Sequence, residues 1–378
     1  MKKIIYRKLA LDCTKFFLLI LFTISIIIWV LQAVNYLDFV TEDGHGFLVY
    51  FNYTLLSLPK IIGRIFPFAI FLSFTYNLLK YENKNELVIF WNFGVKKIEF
   101  INFFIKLSFL FVLISLLINA FISPYAQDKA RSFIRSSDLD FFESILKPKK
   151  FIDTIGGLTI YFNEIGENGE LKNIYLNNNL ETVEKSSQIT IAKTGKVESD
   201  GNKKILVLKE GRTINEIGEN VSEFKFTKSD FNISKFSTKS TVTKKIQETA
   251  TRDLIECLMV FHKTPDKIDL SLNFLTKNCG IENIKNIHQE LYSRLIKPFY
   301  IIFLITISLL LILKSKNNPL FNTNKIKIYS LGFVAIIFLE ISSKFVNTNL
   351  TQNLFLIILP IFFVFTMYLF FLKLLKTN

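Results

Sequence analysis

Two groups of residues in this chain are placed to do chemistry. Glu86, Leu87, Phe90 and Trp91 fall within one short stretch, and Lys60, Arg64, Arg294, Lys297 and Lys344 each stand at the end of a long apolar run. The first group can present a carboxylate beside an aromatic ridge, which is the chemistry of an ion pair in a partly apolar protein interface. The second can give charge-assisted hydrogen bonds to phosphate oxygens. Its alternative is snorkelling of long side chains to ordinary headgroups, with Arg294 paired to Glu290 and Lys344 to Glu340 at i, i+4. Bond-making machinery is not legible. The chain has no His-Glu-x-x-His, no Gly-x-Ser-x-Gly and no Gly-x-x-x-x-Gly-Lys-Ser/Thr; Thr194-Gly195-Lys196 lacks both the first glycine and the hydroxyl residue. His45, His262 and His288 occupy unrelated segments with no Cys or carboxylate at ligand spacing, so no metal is expected. Work driven by ATP would need an ATPase on another chain, and no catalytic residue or cofactor of the chain's own is expected.

The elements that must position these residues are set by hydropathy. Half of the residues are hydrophobic, 41 of 378 are Phe, and mean hydropathy is +0.34. A helix needs about 20 apolar residues to cross roughly 30 Å of hydrocarbon. Six runs qualify, in two groups of three: Phe16–Val34, Ile61–Leu79 and Phe100–Ile122, then Leu295–Leu313, Ile328–Phe345 and Leu354–Leu372. The first follows Lys2, Lys3, Arg7 and Lys8 as a signal peptide would, but no small-residue cleavage site follows Val34, and it is expected to remain as a span. Lys and Arg in the short connections decide orientation. With six spans drawn, the N-terminal bases, Lys80, Lys84, Lys96 and Lys97, Lys314, Lys316, Lys325 and Lys327, and Lys373 and Lys376 all fall on one side. Both termini are therefore expected in the cytoplasm and the large polar insert outside it. Within that insert acidic and basic residues nearly balance, so the net charge of +14 is a topology signal and not a nucleic-acid footprint.

The division expected is 1–122 for spans one to three, 123–282 for the insert and 283–378 for a linking helix with spans four to six. In the first part, 83–94 reads as a short cytoplasmic helix, with Asn83 as cap, Glu86 at its third position in a capping box, and Gly94 at its stop. Leu87, Phe90 and Trp91 at i, i+3 and i+4 give it one apolar face. Such a helix either rests on the lipid interface or docks an exposed aromatic ridge into an ATPase subunit. In the insert, 158–165 and 170–176 read as strands around the turn Glu167-Asn168-Gly169, followed by strands at 188–193, 204–209 and 221–226 with turns at Thr194-Gly195, Ser199-Asp200-Gly201 and Glu210-Gly211. Strands at this spacing suggest a sandwich or jelly roll. Cys13 lies on the cytoplasmic side; Cys257 and Cys279 share the oxidising side, and whether they pair stays open.

Several passages, in order, carry a resemblance to the LptF/LptG permease family of the lipopolysaccharide export ABC transporter. They are Leu58-Pro59-Lys60 with Ile65-Phe66-Pro67, Asn85-Glu86-Leu87-Val88 with Phe93-Gly94-Val95, Ser123-Pro124, Ile160–Ile165 with Asn173–Leu176, Leu208–Arg212, and Glu290-Leu-Tyr-Ser-Arg294 with Pro298. The resemblance implies an inner-membrane, multi-pass helical protein with six transmembrane helices and an inserted periplasmic β-jellyroll. It implies a heterodimer with a paralogous permease, energised by a dimeric cytoplasmic ATPase, that extracts lipopolysaccharide and passes it to a periplasmic bridge protein with a similar β-jellyroll. Glu86 would be the acidic coupling residue facing the ATPase. The 290–294 passage resembles LptF and the second-span entrance the other paralogue, a lean toward LptF. Where LptF-type relatives place bases at the outer end of the first span, this chain reads Gln32-Ala-Val-Asn35, so phosphate binding would shift to Lys60, Arg64, Arg294, Lys297 and Lys344.

Two other classes fit less of this pattern. A secondary transporter would need internal repeats and a midplane polar site, whereas Lys106 lies near the inner end of its run and Glu340 has Lys344 one turn away. A membrane-anchored β adaptor without transport activity would need one anchor helix and no coupling loop.

Overall fold

The structure, a computed structural model, describes residues 2–37, 46–145, 148–155, 158–166, 169–181, 185–200, 203–217, 220–232, 244–263, 279, 283–348 and 350–376. The chain folds as two compact units, the first comprising 1–32, 56–129 and 244–378 and the second 33–55 and 130–243.

The first unit is a helical bundle, and residues 47–55 and 130–145 of the second are helical as well. Among the described residues six helical stretches are long and apolar enough to cross a membrane: Ile4–Asn35, Phe47–Asn83, Lys97–Ile134, Ile284–Leu313, Phe321–Phe345 and Asn353–Leu375. In hydrocarbon every backbone N–H and C=O must be bonded internally, which a continuous helix achieves. The helices are α1 (Lys2–Asn35), α2 (Phe47–Leu56), α3 (Leu58–Asn83), α4 (Glu86–Asn92), α5 (Lys97–Leu117), α6 (Ser123–Ile145), α7 (Thr251–Lys263), α8 (Ile284–Leu291), α9 (Tyr300–Leu309), α10 (Phe321–Ser342) and α11 (Leu350–Lys376). The fourth span is the axis, with 67% of its most apolar window buried against 17% for the first and 11% for the sixth.

Lipid is as apolar as Leu, so packing rather than hydrophobic exclusion joins such helices. Phenylalanines supply it: Phe74 meets Phe104 and Phe111 edge-on at 5.5 and 5.7 Å, and Phe17 meets Phe66 and Phe111 at 5.0 and 5.3 Å. Gly332 on α10 receives the Phe71 ring so closely that a Cβ there would lie 1.8 Å from the ring.

In the third span the helix outlasts the apolar run. Ser123-Pro124 does not end it; the helix continues to Ile145 after a π turn at Ile118–Ile122. Pro124 has no N–H for the Ala120 carbonyl four residues back, the bond a regular helix would need. The π turn absorbs the misfit, and the Thr251 hydroxyl donates to the freed Ala120 carbonyl instead. The fourth span repeats the device, with a π turn at Tyr292–Ile296 running into Lys297-Pro298, and the two π turns pack against each other. A disulfide joins Cys257 of α7 to Cys279 across a Cα–Cα distance of 6.0 Å, closing the pairing left open above.

The second unit carries the inserted β domain, an antiparallel sheet of β1 (Ile152–Ile155), β2 (Leu158–Tyr161), β3 (Glu164–Ile165), β4 (Glu170–Glu181), β5 (Lys185–Asp200), β6 (Lys203–Ile217) and β7 (Asn220–Asn232). The order is β1-β2-β4-β5-β6-β7, with β3 beside β4. Leu158, Ile160, Leu171, Ile174, Leu176, Leu206 and Leu208 form its core. The turns expected at Thr194-Gly195 and Glu210-Gly211 are not turns. Both pairs lie inside long strands, where a Cβ on Gly211 would meet the Ile191 carbonyl at 2.4 Å and the Phe226 ring at 2.5 Å. These glycines answer a close approach of neighbouring strands.

The alternation that breaks there marks a crease. The ladders keep register on both sides of one row, Asn173, Lys193, Glu210 and Thr227, and skip the row itself. Asn173 and Glu210 adopt left-handed backbone, with φ of 53° and 51°. Inward positions pass from Leu171 to Ile174 and from Ala192 to Gly195, so the period-two phase slips by one residue at the same row in both strands. The expected turn residues Glu167, Asn168 and Gly201 lie outside the described residues.

Candidate functional site

The short loop between the second and third spans folds as expected in outline and not in detail. Asn83 ends α3, and Asn85, at φ 58°, precedes α4 with Glu86 as the first helical residue. The capping box is therefore absent: Glu86 stands two places too early, and no side chain caps the helix. The C-terminal stop is as read. Gly94 at φ 72° sits past the last turn, with Val95 N donating to Phe90 O at 3.1 Å and Gly94 N to Trp91 O at 3.0 Å, a Schellman pair.

The apolar ridge faces the opposite way from the one expected. Leu87 and Phe90 are 1% and 8% exposed and belong to the bundle core, with Phe90 against Tyr81 and Phe100. Trp91 is half-buried against Phe100, with Lys97 Nζ 6.0 Å above its ring. These residues anchor the helix instead of docking it. The outward stripe is Ile89 and Phe93, each 50% exposed, with half-buried Glu86 in line with them at i, i+3 and i+7. A seven-residue helix with two apolar faces gives periodicity no means of choosing between them. Behind α4, buried Glu82 accepts the Lys316 backbone N–H at 2.6 Å while Lys316 Nζ donates to the Asn83 carbonyl at 3.1 Å. This clamp between two Lys-rich loops escaped the sequence reading, in which Glu82 is one acid among many bases.

At the other end of the bundle the five basic candidates separate. Arg294 is 3% exposed and fully used inside the protein. Its guanidinium donates to Glu290 Oε1 at 2.9 Å, Thr249 O at 2.9 Å, Thr251 Oγ1 at 3.0 Å, Gln247 O at 3.0 Å and Ile246 O at 3.4 Å. It cannot also hold an external phosphate; its role is to pin 246–251 onto the fourth span. Lys297 pairs with Glu340 at 3.1 Å, the acid that sequence spacing gave to Lys344. Lys60 Nζ donates to Gln247 Oε1 at 2.6 Å. Its charged neighbours are Arg64, Lys245, Glu248 and Glu290. Arg64, Lys245 and Lys344 are exposed. Lys245 joins this cluster only through the fold, since 185 residues of sequence separate it from Lys60.

The β domain adds an open hollow of about 580 Å³ along the crease, lined by residues that include Tyr161, Tyr175, Ile191, Arg212, Lys225 and Phe226. An exposed ion pair, Lys193 to Glu210 at 2.8 Å, lies within the row. Its hydrogen bond raises the Lys193 ammonium and lowers the Glu210 carboxyl from their ordinary ranges.

Among known proteins, a family model described as "Lipopolysaccharide export system permease LptF/LptG" matches residues 7–374. The chain is also similar to "Uncharacterized protein RP871" of Rickettsia prowazekii (strain Madrid E), with 22% identity over 211 residues. That match covers 55% of this chain and 57% of the relative, so the chain spans somewhat more than half of the relative's length.

Proposed function

Because the chain belongs to the LptF/LptG permease family of the lipopolysaccharide export system, we propose that it is one permease half of an ABC exporter, paired with a paralogous permease and driven by a dimeric cytoplasmic ATPase. In this reading it extracts lipopolysaccharide from the bacterial inner membrane, and its β domain hands the lipid to a periplasmic bridge protein of similar fold. The Lys-rich short loops lie in the cytoplasm and the β domain in the periplasm. ATP is used by the partner alone.

The observation that carries the reading is the outward stripe of α4. A carboxylate in line with two half-exposed apolar side chains, on a helix anchored from behind by Leu87 and Phe90, is suited to a protein groove carrying a basic residue. Headgroup phosphates would repel Glu86, which disfavours a helix that merely rests on lipid.

The test is recovery of the ATPase with the full chain in mild detergent. Glu86 makes no cap, so Glu86→Ala should leave α4 folded while costing about 2–5 kcal/mol of association by stranding the partner's cation. Ile89→Asp should act in the same direction. Wild-type recovery of the ATPase with both variants would end the coupling role of α4.

A further inference from the structure

A bay of about 690 Å³ opens in the side of the bundle between the third span and α7. Leu113, Leu117 and Phe121 form one wall, Ile255 and Met259 the other, and Arg252 and Glu256 stand at its rim. The wall is built on a fixed joint: Thr251, also in the lining, donates to the Ala120 carbonyl and accepts from buried Arg294.

What fills the bay follows from where it lies. Leu113, Leu117 and Phe121 are exposed, yet they belong to a span of hydropathy 2.4, a stretch that only hydrocarbon can surround. At about 1.5 Å per residue, Phe121 stands roughly 36 Å along the helix from Lys97. That is the far side of a core about 30 Å thick, so the wall rises from hydrocarbon to headgroup level. At that level α7 presents Arg252 and Glu256 one helical turn apart, both exposed. Arg252 alone would favour any lipid phosphate. Glu256 beside it repels a bare anion and pairs with an ammonium, so the two together match a headgroup carrying both charges.

We propose that the bay is a binding site for a zwitterionic aminophospholipid, one acyl chain lying along Leu113–Phe121 and its phosphate and ammonium facing Arg252 and Glu256. The volume lies within the range of about 300–1,000 Å³ typical of built ligand sites, with polar groups confined to the rim. The site is lateral and structural, and it stands independently of the export reading.

The test uses the full chain in vesicles containing phosphatidylethanolamine or phosphatidylglycerol with the same photoreactive acyl chain, followed by peptide mapping of the crosslinks. Phosphatidylethanolamine should label 113–121 and 255–259 about five-fold more than phosphatidylglycerol does, the discrimination worth one exposed charge contact. Labelling of 354–365 on the last span, where Phe355, Ile358 and Phe362 are exposed, should be equal for the two lipids. Leu117→Trp fills the bay from an exposed position and should remove the excess while leaving 354–365 labelled. Glu256→Gln should bring phosphatidylglycerol up to the level of phosphatidylethanolamine. Equal labelling of the bay by both lipids in the unmodified chain, or an excess that survives Leu117→Trp, overturns the proposal.

Discussion

Arg294 illustrates how burial decides the work of a charge. An arginine at a span end in an open headgroup region would lend its donors to phosphates, and Arg64 and Lys344 remain exposed enough to do so. Arg294 instead spends all of its guanidinium nitrogens on internal acceptors. Removing it leaves Glu290 and several carbonyls short of donors, so Arg294→Gln should lower stability by about 2–4 kcal/mol, read as a lower detergent-unfolding temperature. Arg294→Lys should rescue little, because one ammonium cannot reach acceptors spread across a planar fork. Arg64→Gln should leave the melting temperature unchanged, within about 0.5 kcal/mol. Equal melting of Arg294→Gln and the parent chain would show that the network contributes nothing. Cysteines give a second test at this scale. Cys257 and Cys279 are bonded and Cys13 is free and buried, so denatured, unreduced chain should take up one alkyl group and reduced chain three. Three without reductant would place both partners in a reducing compartment.

Elements in this bundle meet through shape. α3 and α10 approach because Gly332 leaves room for the Phe71 ring. Gly332→Ala improves helix propensity by roughly 1 kcal/mol but forces that ring aside, and overpacking of this kind costs about 1–3 kcal/mol. A net loss of thermal stability is expected, and Phe71→Leu in the same chain should recover part of it. A stabilised Gly332→Ala would mean that the ring moves freely. The paired π turns follow the same logic: each accommodates a proline, and at the first the Thr251 hydroxyl satisfies the carbonyl that Pro124 orphans. Strand β6 runs through Glu210-Gly211 because a glycine tolerates the crossing with Phe226 where a side chain would not. Read as composition alone, the same dipeptide looks like a turn.

For the whole molecule, orientation is the property that function needs most. The parent chain offers an impermeant thiol reagent no accessible cysteine, since Cys13 is buried and the other two are bonded. Under the proposed orientation a cysteine replacing Thr227, exposed on β7, should react with reagent confined to the β-domain side of the membrane, and one replacing Asn322, exposed at the start of α10, should not. The opposite pattern would invert the topology and remove the coupling role of α4 with it.

The sequence by itself determined the six spans, the bias of their short loops and the β character of the insert. Each of these rests on hydropathic length, net loop charge or local alternation, and each adds up along the chain without reference to distant residues. The stop at Gly94 was legible for the same reason. Only the tertiary structure decided which face of α4 turns inward, since Tyr81 and Phe100 supply the surface that selects Leu87 and Phe90 over Ile89 and Phe93. It likewise carried the third helix past Ser123-Pro124 and withdrew Arg294 from the basic residues expected to face headgroups. Both outcomes turn on the segment 246–251, whose groups reach Ala120 and Arg294 across more than forty residues of sequence. Polar groups in a low-dielectric interior must find partners wherever the fold brings them, and sequence spacing carries no record of that search.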